Sequence, residues 1–331
     1  MITYQWLDKI GPDVDRALFD LVARAAAFDD EMGFSKVALE ESSAGAQPFA
    51  WSEAKTYHLL ARMSHAQVLA AYLRVDVSCV RESATLHFVV GPEFRSLGVA
   101  TLLFELLQQD TAAGRGWSVT GAAHLQAWAH GNHPAAQRMA RRFGAPAAQQ
   151  LWRLCRPLTG RASAIPRSPE PGGLTVRRLS QREQPLIDEV GDLLASIPNR
   201  AASSQQRAEP DSHPEEIFLA IGASGRLVGA LGTSEHSSSG PSGTGSIRTL
   251  AVRSRQDGGQ VERALLEKGI AHLGDRGAHT IDVYVDPTDT RMLRMCRSLG
   301  FGHDQTDVCY VWPQTRSASV DTSSTTERRI S

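Results

Sequence analysis

The segment Leu86-His87-Phe88-Val89-Val90-Gly91-Pro92-Glu93-Phe94-Arg95-Ser96-Leu97-Gly98-Val99-Ala100-Thr101 constrains the fold of this 331-residue chain more than any other. Its first five residues read as an apolar strand and Pro92 marks a turn. Leu102, Leu103 and Leu106 then give the stripe of an amphipathic helix. A strand that turns directly into a helix aims the unpaired N–H groups of the first helical turn, and the positive end of the helix dipole, at whatever occupies the loop. Gly98 and Ala100 keep side chains out of that space, and Arg95 adds a fixed charge. The segment therefore reads as an anion cradle that a pyrophosphate could approach. The plain alternative is a strand–turn–helix corner with no ligand.

The same order of elements occurs twice. Residues 12–28 read as a helix, with Val14, Leu18, Leu21, Val22 and Ala25 at helical spacing. Strands follow over 57–63, 68–75 and 86–90, then a helix over 100–109 and a strand over 125–130. His133-Pro134 opens a helix through Phe143, and 152–158 is a last strand. A proline-rich stretch intervenes. The second pass gives a strand over 174–179, a helix over 184–197, a hairpin of 218–221 with 227–232, and a strand over 247–252. A helix over 261–273, a strand over 280–285, a helix over 291–299 and a strand over 309–312 complete it. A repeat on this scale implies two domains, 1–160 and 174–313, with a linker at 161–173. The polar tail at 314–331 and the stretches 200–209 and 237–244 are expected to be disordered.

Composition narrows the partners. A net charge of −1 supplies no field for nucleic acid or an acidic membrane. No run of about 18 apolar residues is present, and the first residues lack the core of a signal peptide, so a cytoplasmic protein is expected. Cys79, Cys155, Cys296 and Cys309 are scattered, without the spacing of a metal site or a disulfide framework. A monomer or a homodimer is expected.

The spacing Arg95-x-x-Gly98-x-Ala100 resembles the acetyl-CoA loop of the GCN5-related N-acetyltransferases (GNAT), Arg/Gln-x-x-Gly-x-Gly/Ala. Trp128-Ala129-His130-Gly131-Asn132-His133-Pro134-Ala135-Ala136 and Leu151-Trp152-Arg153-Leu154-Cys155-Arg156-Pro157-Leu158 are similar to the N-terminal half of the mycothiol synthase family, which are tandem GNAT proteins. Pro171-Gly172-Gly173-Leu174-Thr175-Val176-Arg177, Tyr284-Val285-Asp286 and Ser298-Leu299-Gly300-Phe301 extend the resemblance into the second half. It implies an α/β (α+β) fold class: tandem acyl-CoA N-acyltransferase folds, each a mixed, largely antiparallel sheet flanked by helices. It also implies acetyl-CoA as co-substrate, no metal, and a small-molecule amine as acceptor. In the family that amine is the cysteinyl amine of a glucosamine–inositol conjugate. The family's C-terminal half is catalytic, and its N-terminal half holds a second acetyl-CoA.

Carried over residue by residue, the first acetyl-CoA site falls on Phe88, Val89 and Val90, then on Ser96, Leu97, Gly98, Val99, Ala100 and Thr101. The second falls on Leu250, Ala251 and Val252, and Tyr284 keeps a substrate-binding position. Aligned on those strand residues, the second loop reads Asp257-Gly258-Gly259-Gln260-Val261-Glu262. Gln260 and Glu262 then stand where small residues belong, and a carboxylate repels phosphate. The family's catalytic glutamate falls on Ser246, its tyrosine acid on Cys296 and its substrate lysine on Ser234. Its acidic substrate residue falls on Lys36, and its His-Pro-Glu-Gln stretch on Ile197-Pro198-Asn199-Arg200 rather than on His213-Pro214-Glu215.

Acetyl transfer to an amine needs a polarised carbonyl, a base for the ammonium and an acid for the departing thiolate. His87, just before Phe88, is the candidate base and takes the slot of the family's glutamate; imidazole ordinarily titrates near pH 6.5. The acid slot of the first half falls on Ala140, so water or a side chain of the other half must supply that proton. Direct attack by the amine is preferred, because no nucleophilic triad is visible. Two functions stand at this point: N-acetyltransfer to a small amine, or a non-catalytic acyl-CoA-binding sensor or scaffold.

Overall fold

The computed structural model describes residues 2–7, 9–31, 55–64, 68–78, 83–108, 122–158, 172–180, 183–195, 216–235, 243–253 and 259–313. Their strands are β1 (Ile2–Leu7), β2 (Lys55–Met63), β3 (Val68–Ser78), β4 (Ser83–Val90), β5 (His124–Ala129) and β6 (Ala147–Pro157), then β7 (Thr175–Arg178), β8 (Glu216–Ile221), β9 (Leu227–Glu235), β10 (Thr244–Val252), β11 (Thr280–Val285) and β12 (Gly302–Pro313). The helices are α1 (Pro12–Glu31), α2 (Val99–Gln108), α3 (Pro134–Arg142), α4 (Gln184–Ala195), α5 (Gln260–Asp275) and α6 (Thr290–Ser298).

These strands form one sheet in the order β1-β2-β3-β4-β5-β12-β6-β11-β10-β9-β8-β7. Only β4–β5 and β10–β11 pair in parallel, so each half is a mixed, largely antiparallel sheet flanked by helices. The last strand of each sequence repeat changes sides. β12 pairs antiparallel with β5, from Val308↔Ala129 to Pro313↔His124. β6 pairs antiparallel with β11, from Thr280↔Pro157 to Val285↔Trp152. The two exchanged strands then pair with each other at the centre.

The exchange is visible in the packing. Trp312 of β12 is 5% exposed and lies 5.6 Å, ring to ring, from Phe104 of α2, in a core with Leu73, Leu86, Leu103 and Leu125. Leu154 of β6 is buried with Ile281, Leu293 and Phe301 of the second half. α1 covers the opposite face of the first half through Leu18, Leu21, Val22 and Ala25, against Leu60, Tyr72 and Val89. α4 does the same in the second half through Val190 and Leu193, against Leu219, Ala230 and Ala251. α5 approaches closely enough that a Cβ at Gly269 would meet a terminal methyl of Leu231 at 2.7 Å.

Some elements exceed their sequence patterns. β1 carries Thr3, Tyr4 and Gln5 at an edge, so pairing with β2 rather than burial makes it a strand. β12 runs back through His303 and Asp307 because backbone pairing with β6 continues past its apolar end. Thr244, inside a stretch expected to be disordered, pairs with Thr280 at the start of β10. Most of that stretch (237–242), residues 200–209, the linker through 171 and the tail lie outside the described residues.

Because Trp312 completes the core of the first half, Trp312→Ala is expected to cost about 3–5 kcal/mol. The loss of hydrogen-exchange protection should fall on β4 and β5, more than 170 residues earlier in the chain. Protection lost only around β11 would contradict the exchange.

Candidate functional site

The parallel ladder between β4 and β5 stops at Leu86↔Ala127. Beyond it β5 follows β12, while Phe88, Val89 and Val90 stay paired only on their β3 side, with Leu73, Tyr72 and Ala71. The strands splay, and the free edge of β4 turns backbone hydrogen-bonding groups into the gap. Phe88 packs its ring perpendicular to Phe104, 5.4 Å between centroids, and forms one wall.

The loop at the end of β4 has the form the sequence implies. A 3-10 turn spans Pro92–Phe94, Ser96 adopts φ +65° and Gly98 φ +82°, and α2 begins at Val99. Helix geometry leaves the N–H groups of Val99, Ala100 and Thr101 without intrahelical acceptors. A Cβ built on Gly98 would meet nothing within 4 Å, so the space before the helix is open. Residues 96–98 are exposed, Ala100 and Thr101 half-buried, and Val99 is turned into the core. These features fit a pyrophosphate group. The guanidinium of Arg95 is engaged elsewhere. It binds both carboxylate oxygens of Asp29 at 2.5 and 3.1 Å, donates to the carbonyl of Val90 at 3.2 Å and lies over Phe28. It clasps the end of α1 to the end of β4, and its charge reaches the loop already balanced. Across the gap, His133 caps α3 by accepting the N–H of Ala135 on Nδ1, and burial holds its pKa below the ordinary value.

His87 lies one residue past the last parallel pair, on the α1 face, half-exposed, with Nε2 3.3 Å from Asp76 Oδ2. Asp76 also receives Arg74 at 2.9 and 2.7 Å and the hydroxyl of Thr56 at 2.9 Å. Burial works to raise the Asp76 carboxyl, but hydrogen bonds from His87 and Arg74 outweigh it and hold it well below the usual range. His58 and the hydroxyl of Tyr72, 2.7 Å apart, extend this polar strip. The signal for it lies in Leu73-Arg74-Val75-Asp76-Val77, where charges alternate with core residues along a buried strand.

His87 does not stand in the glutamate slot. Ser246 is paired with Asp282, one residue before the last parallel pair of the second half, Ile247↔Val283. The equivalent of Ser246 in the first half is therefore Thr85, opposite Gln126, whose amide donates to its hydroxyl at 3.1 Å. Both halves carry a hydroxyl there. Ser246 is fully buried and bonded to the Asp282 carboxylate, which also receives Arg153 at 3.0 Å.

The second groove has the same construction with different contents. Leu250, Ala251 and Val252 run on along β9 past the ladder, and Tyr284 sits one residue beyond it on β11, opposite Arg153. The left-handed glycine before the helix is Gly259, φ +92°, and α5 starts at Gln260. The loop is thus one residue shorter than the first. Its pattern reads Gln256-x-x-Gly259-x-Val261, and Glu262 falls outside the small-residue positions. Glu262 is 4% exposed and paired with Arg291 at 3.0 Å, so its carboxylate is not the obstacle expected. The side-chain ends of Met295 and Arg291 lie over this glycine, 2.7 and 3.1 Å from where a Cβ would stand. Gly259 and Gln260 themselves line an open basin of ≈ 360 Å³, together with Arg263, Arg291, Arg294, Met295 and Ser298. Cys296, in the acid slot, is fully buried with its thiol pushed up to about 12 by burial, which disqualifies it as an acid near neutral pH. Ser234 receives Arg248 at 2.6 Å. Ala140 is 2% exposed in the first core. Lys36 and residues 198–200 and 213–215 lie outside the described residues, among which no His/Cys/Asp/Glu group suits a metal ion and no helix is long and apolar enough to cross a membrane.

Comparison with known proteins agrees with this architecture. The acetyltransferase (GNAT) family model matches residues 187–301. A mycothiol acetyltransferase of Paenarthrobacter aurescens is 32% identical over 237 residues, 69% of this chain and 70% of that protein. One of Salinispora tropica is 31% identical over 265 residues, 78% and 82%. Among solved structures, a tandem GNAT protein from the clavulanic acid biosynthesis pathway superposes with a TM-score of 0.65 at 15% identity, covering 95% of this chain and 98% of its own. A GCN5-related N-acetyltransferase from Sphaerobacter thermophilus gives 0.64 at 18%, covering 94% and 95%.

The depressed Asp76 carboxyl makes a prediction about acid stability. Its ionised form stabilises the fold fully above the ordinary carboxylate value, about pH 4, and that contribution is lost as pH falls toward the lower folded-state value. Urea unfolding of Asp76→Asn should therefore lose less stability below about pH 4 than wild type does. Parallel curves would contradict the assignment.

Proposed function

The chain belongs to the mycothiol acetyltransferase family and is an acyltransferase of the GNAT type, and from that premise we propose that it moves an acetyl group from acetyl-CoA to the amine of a small molecule, with the N-terminal groove as the donor site. The carrying observation is the contrast between the two cradles. A Cβ on Gly98 would meet nothing within 4 Å, whereas the side-chain ends of Met295 and Arg291 lie over Gly259 at the edge of its basin. The first-turn N–H groups of α2 would hold the pyrophosphate, and the free edge of β4 at Phe88–Val90 would hold the pantetheine amides and the acyl carbonyl. His87, oriented by Asp76, would take the proton of the attacking amine. Tyr284 lies on the second groove and on this reading serves a site other than the reacting one. The family's cysteinyl–glucosaminyl–inositol amine is the first acceptor to test, followed by smaller primary amines.

A second reading has an observation of its own. Arg263, Arg291 and Arg294 around the ≈ 360 Å³ basin form a cationic surface suited to the phosphates of a second CoA. Two of them are already paired, Arg263 with Glu267 and Ser298 and Arg291 with Glu262, which favours the first groove.

Calorimetric titration with acetyl-CoA should give one site per chain, lost in Gly98→Glu. Strain at the left-handed φ costs only about 1–2 kcal/mol, so the circular dichroism spectrum should stay unchanged. Thiol release with the cysteinyl conjugate should disappear in the same variant. Undiminished binding and turnover in Gly98→Glu would overturn the reading.

A further inference from the structure

We propose that His130, held by Asp307, delivers the proton to the departing thiolate in the N-terminal groove, a role that rests on that groove being the donor site. β5 ends at Ala129, and His130 opens a short turn just beyond the point where β4 and β5 part. His130 Nδ1 lies 3.0 Å from Asp307 Oδ2. The other carboxylate oxygen accepts the N–H of Gly131 at 3.0 Å and the amide of Gln305 at 2.7 Å. The carboxylate side chain is 1% exposed and the imidazole 33% exposed. A buried carboxylate is thus matched by one partially exposed imidazole and by neutral donors. Burial pushes Asp307 up, and the contact with His130 outweighs it and keeps the carboxyl below its ordinary value.

Asp307 arrives by strand exchange. It sits on β12, next to Val308, which pairs with Ala129. Strand alternation places it on the sheet face of His87, opposite the face where Leu86, Ala127 and Tyr310 pack around Phe104. The groove then has an imidazole–carboxylate pair on each bank: His87–Asp76 on β4 and β3, and His130–Asp307 on β5 and β12. β12 also steadies the turn, since the hydroxyl of Tyr310 donates to the side chain of Asn132, which sits at φ +51°. The other titratable groups around the turn are committed differently. Tyr310 faces the core with its hydroxyl on Asn132 and its pKa raised by burial. The Cys309 thiol is pushed up to about 12 by burial, His133 caps α3, and Arg95 and Asp29 hold each other.

With Nδ1 turned to Asp307, Nε2 is the nitrogen left for the groove. The attacking nitrogen bonds to the acyl carbon and sheds a proton to His87. The C–S bond breaks with its electron pair on sulfur, and Nε2 of His130 gives that sulfur a proton. Water reprotonates His130 and accepts the proton from His87, so charge and atoms balance. This fills the role that Ala140, buried in the core, cannot supply. His130 is the catalytic residue and Asp307 positions it.

The test compares full-length wild type with His130→Ala, His130→Gln and Asp307→Asn. In the ligand-free protein, imidazole ¹⁵N NMR should show His130 with a hydrogen-bonded Nδ1–H that shifts in Asp307→Asn. His130→Ala should lower kcat about 100- to 1,000-fold and leave the KM and calorimetric affinity for acetyl-CoA unchanged. Added imidazole should restore part of that kcat, as it would not for a merely structural histidine. His130→Gln, which keeps a hydrogen bond to Asp307, carries the comparison if the alanine variant fails to fold. Normal kcat in both histidine variants, with turnover abolished by Gly98→Glu, would overturn the acid assignment and leave the groove standing. Full turnover in Gly98→Glu would instead remove the groove reading itself.

Discussion

The structure depends on the antiparallel pairing of β12 with β5 and of β6 with β11. Each repeat builds its parallel pair, β4–β5 or β10–β11, across a helical crossover, as parallel strands must. That construction leaves β5 and β11 with a bare side, and an uncovered edge invites wrong partners. Each bare side is covered by the closing strand of the other repeat, and the two closing strands pair at the centre of the sheet. Neither core is complete from its own sequence: Trp312 finishes the first and Leu154 the second. The described strands form one continuous sheet, although the sequence reads as two units.

The exchange also shapes the first groove. By drawing β5 away from β4 beyond Leu86↔Ala127, β12 opens the groove along Phe88–Val90 and brings Asp307 to its far bank. The second groove opens in the same way, yet its glycine is packed under Met295 and Arg291. Arg95 holds Asp29 at the first loop and Arg291 holds Glu262 at the second, where Arg294 also lines the basin. What distinguishes the cradles is the side-chain cover over the glycine at the helix start.

Local features were legible in the sequence. The strand–loop–helix at 86–103, the α1 stripe and the repeated order of elements all appear where spacing and turn residues put them, because each depends on near neighbours in the chain. The exchange was not legible. Residues 152–158 and 309–312 show the alternation of a central strand whichever neighbour they join, and alternation carries no information about partners. The register of the second loop differs by one residue from the one the sequence suggests, for a related reason. The apolar strand supplied the anchor, but the left-handed backbone at Gly259 decides where the helix starts. Nothing in the sequence connects Asp307 to His130 across a separation of 177 positions, whereas the alternation of Arg74 and Asp76 on β3 is a local signal.

On the reading proposed above, donor chemistry has settled in the first groove. A crystal structure with a non-hydrolysable thioether analogue of acetyl-CoA tests it most directly. The account predicts the analogue along Phe88–Val90, its pyrophosphate on the first turn of α2 and its sulfur within hydrogen-bonding reach of His130 Nε2. An analogue seated only beside Leu250–Val252, with the first groove empty, would contradict it.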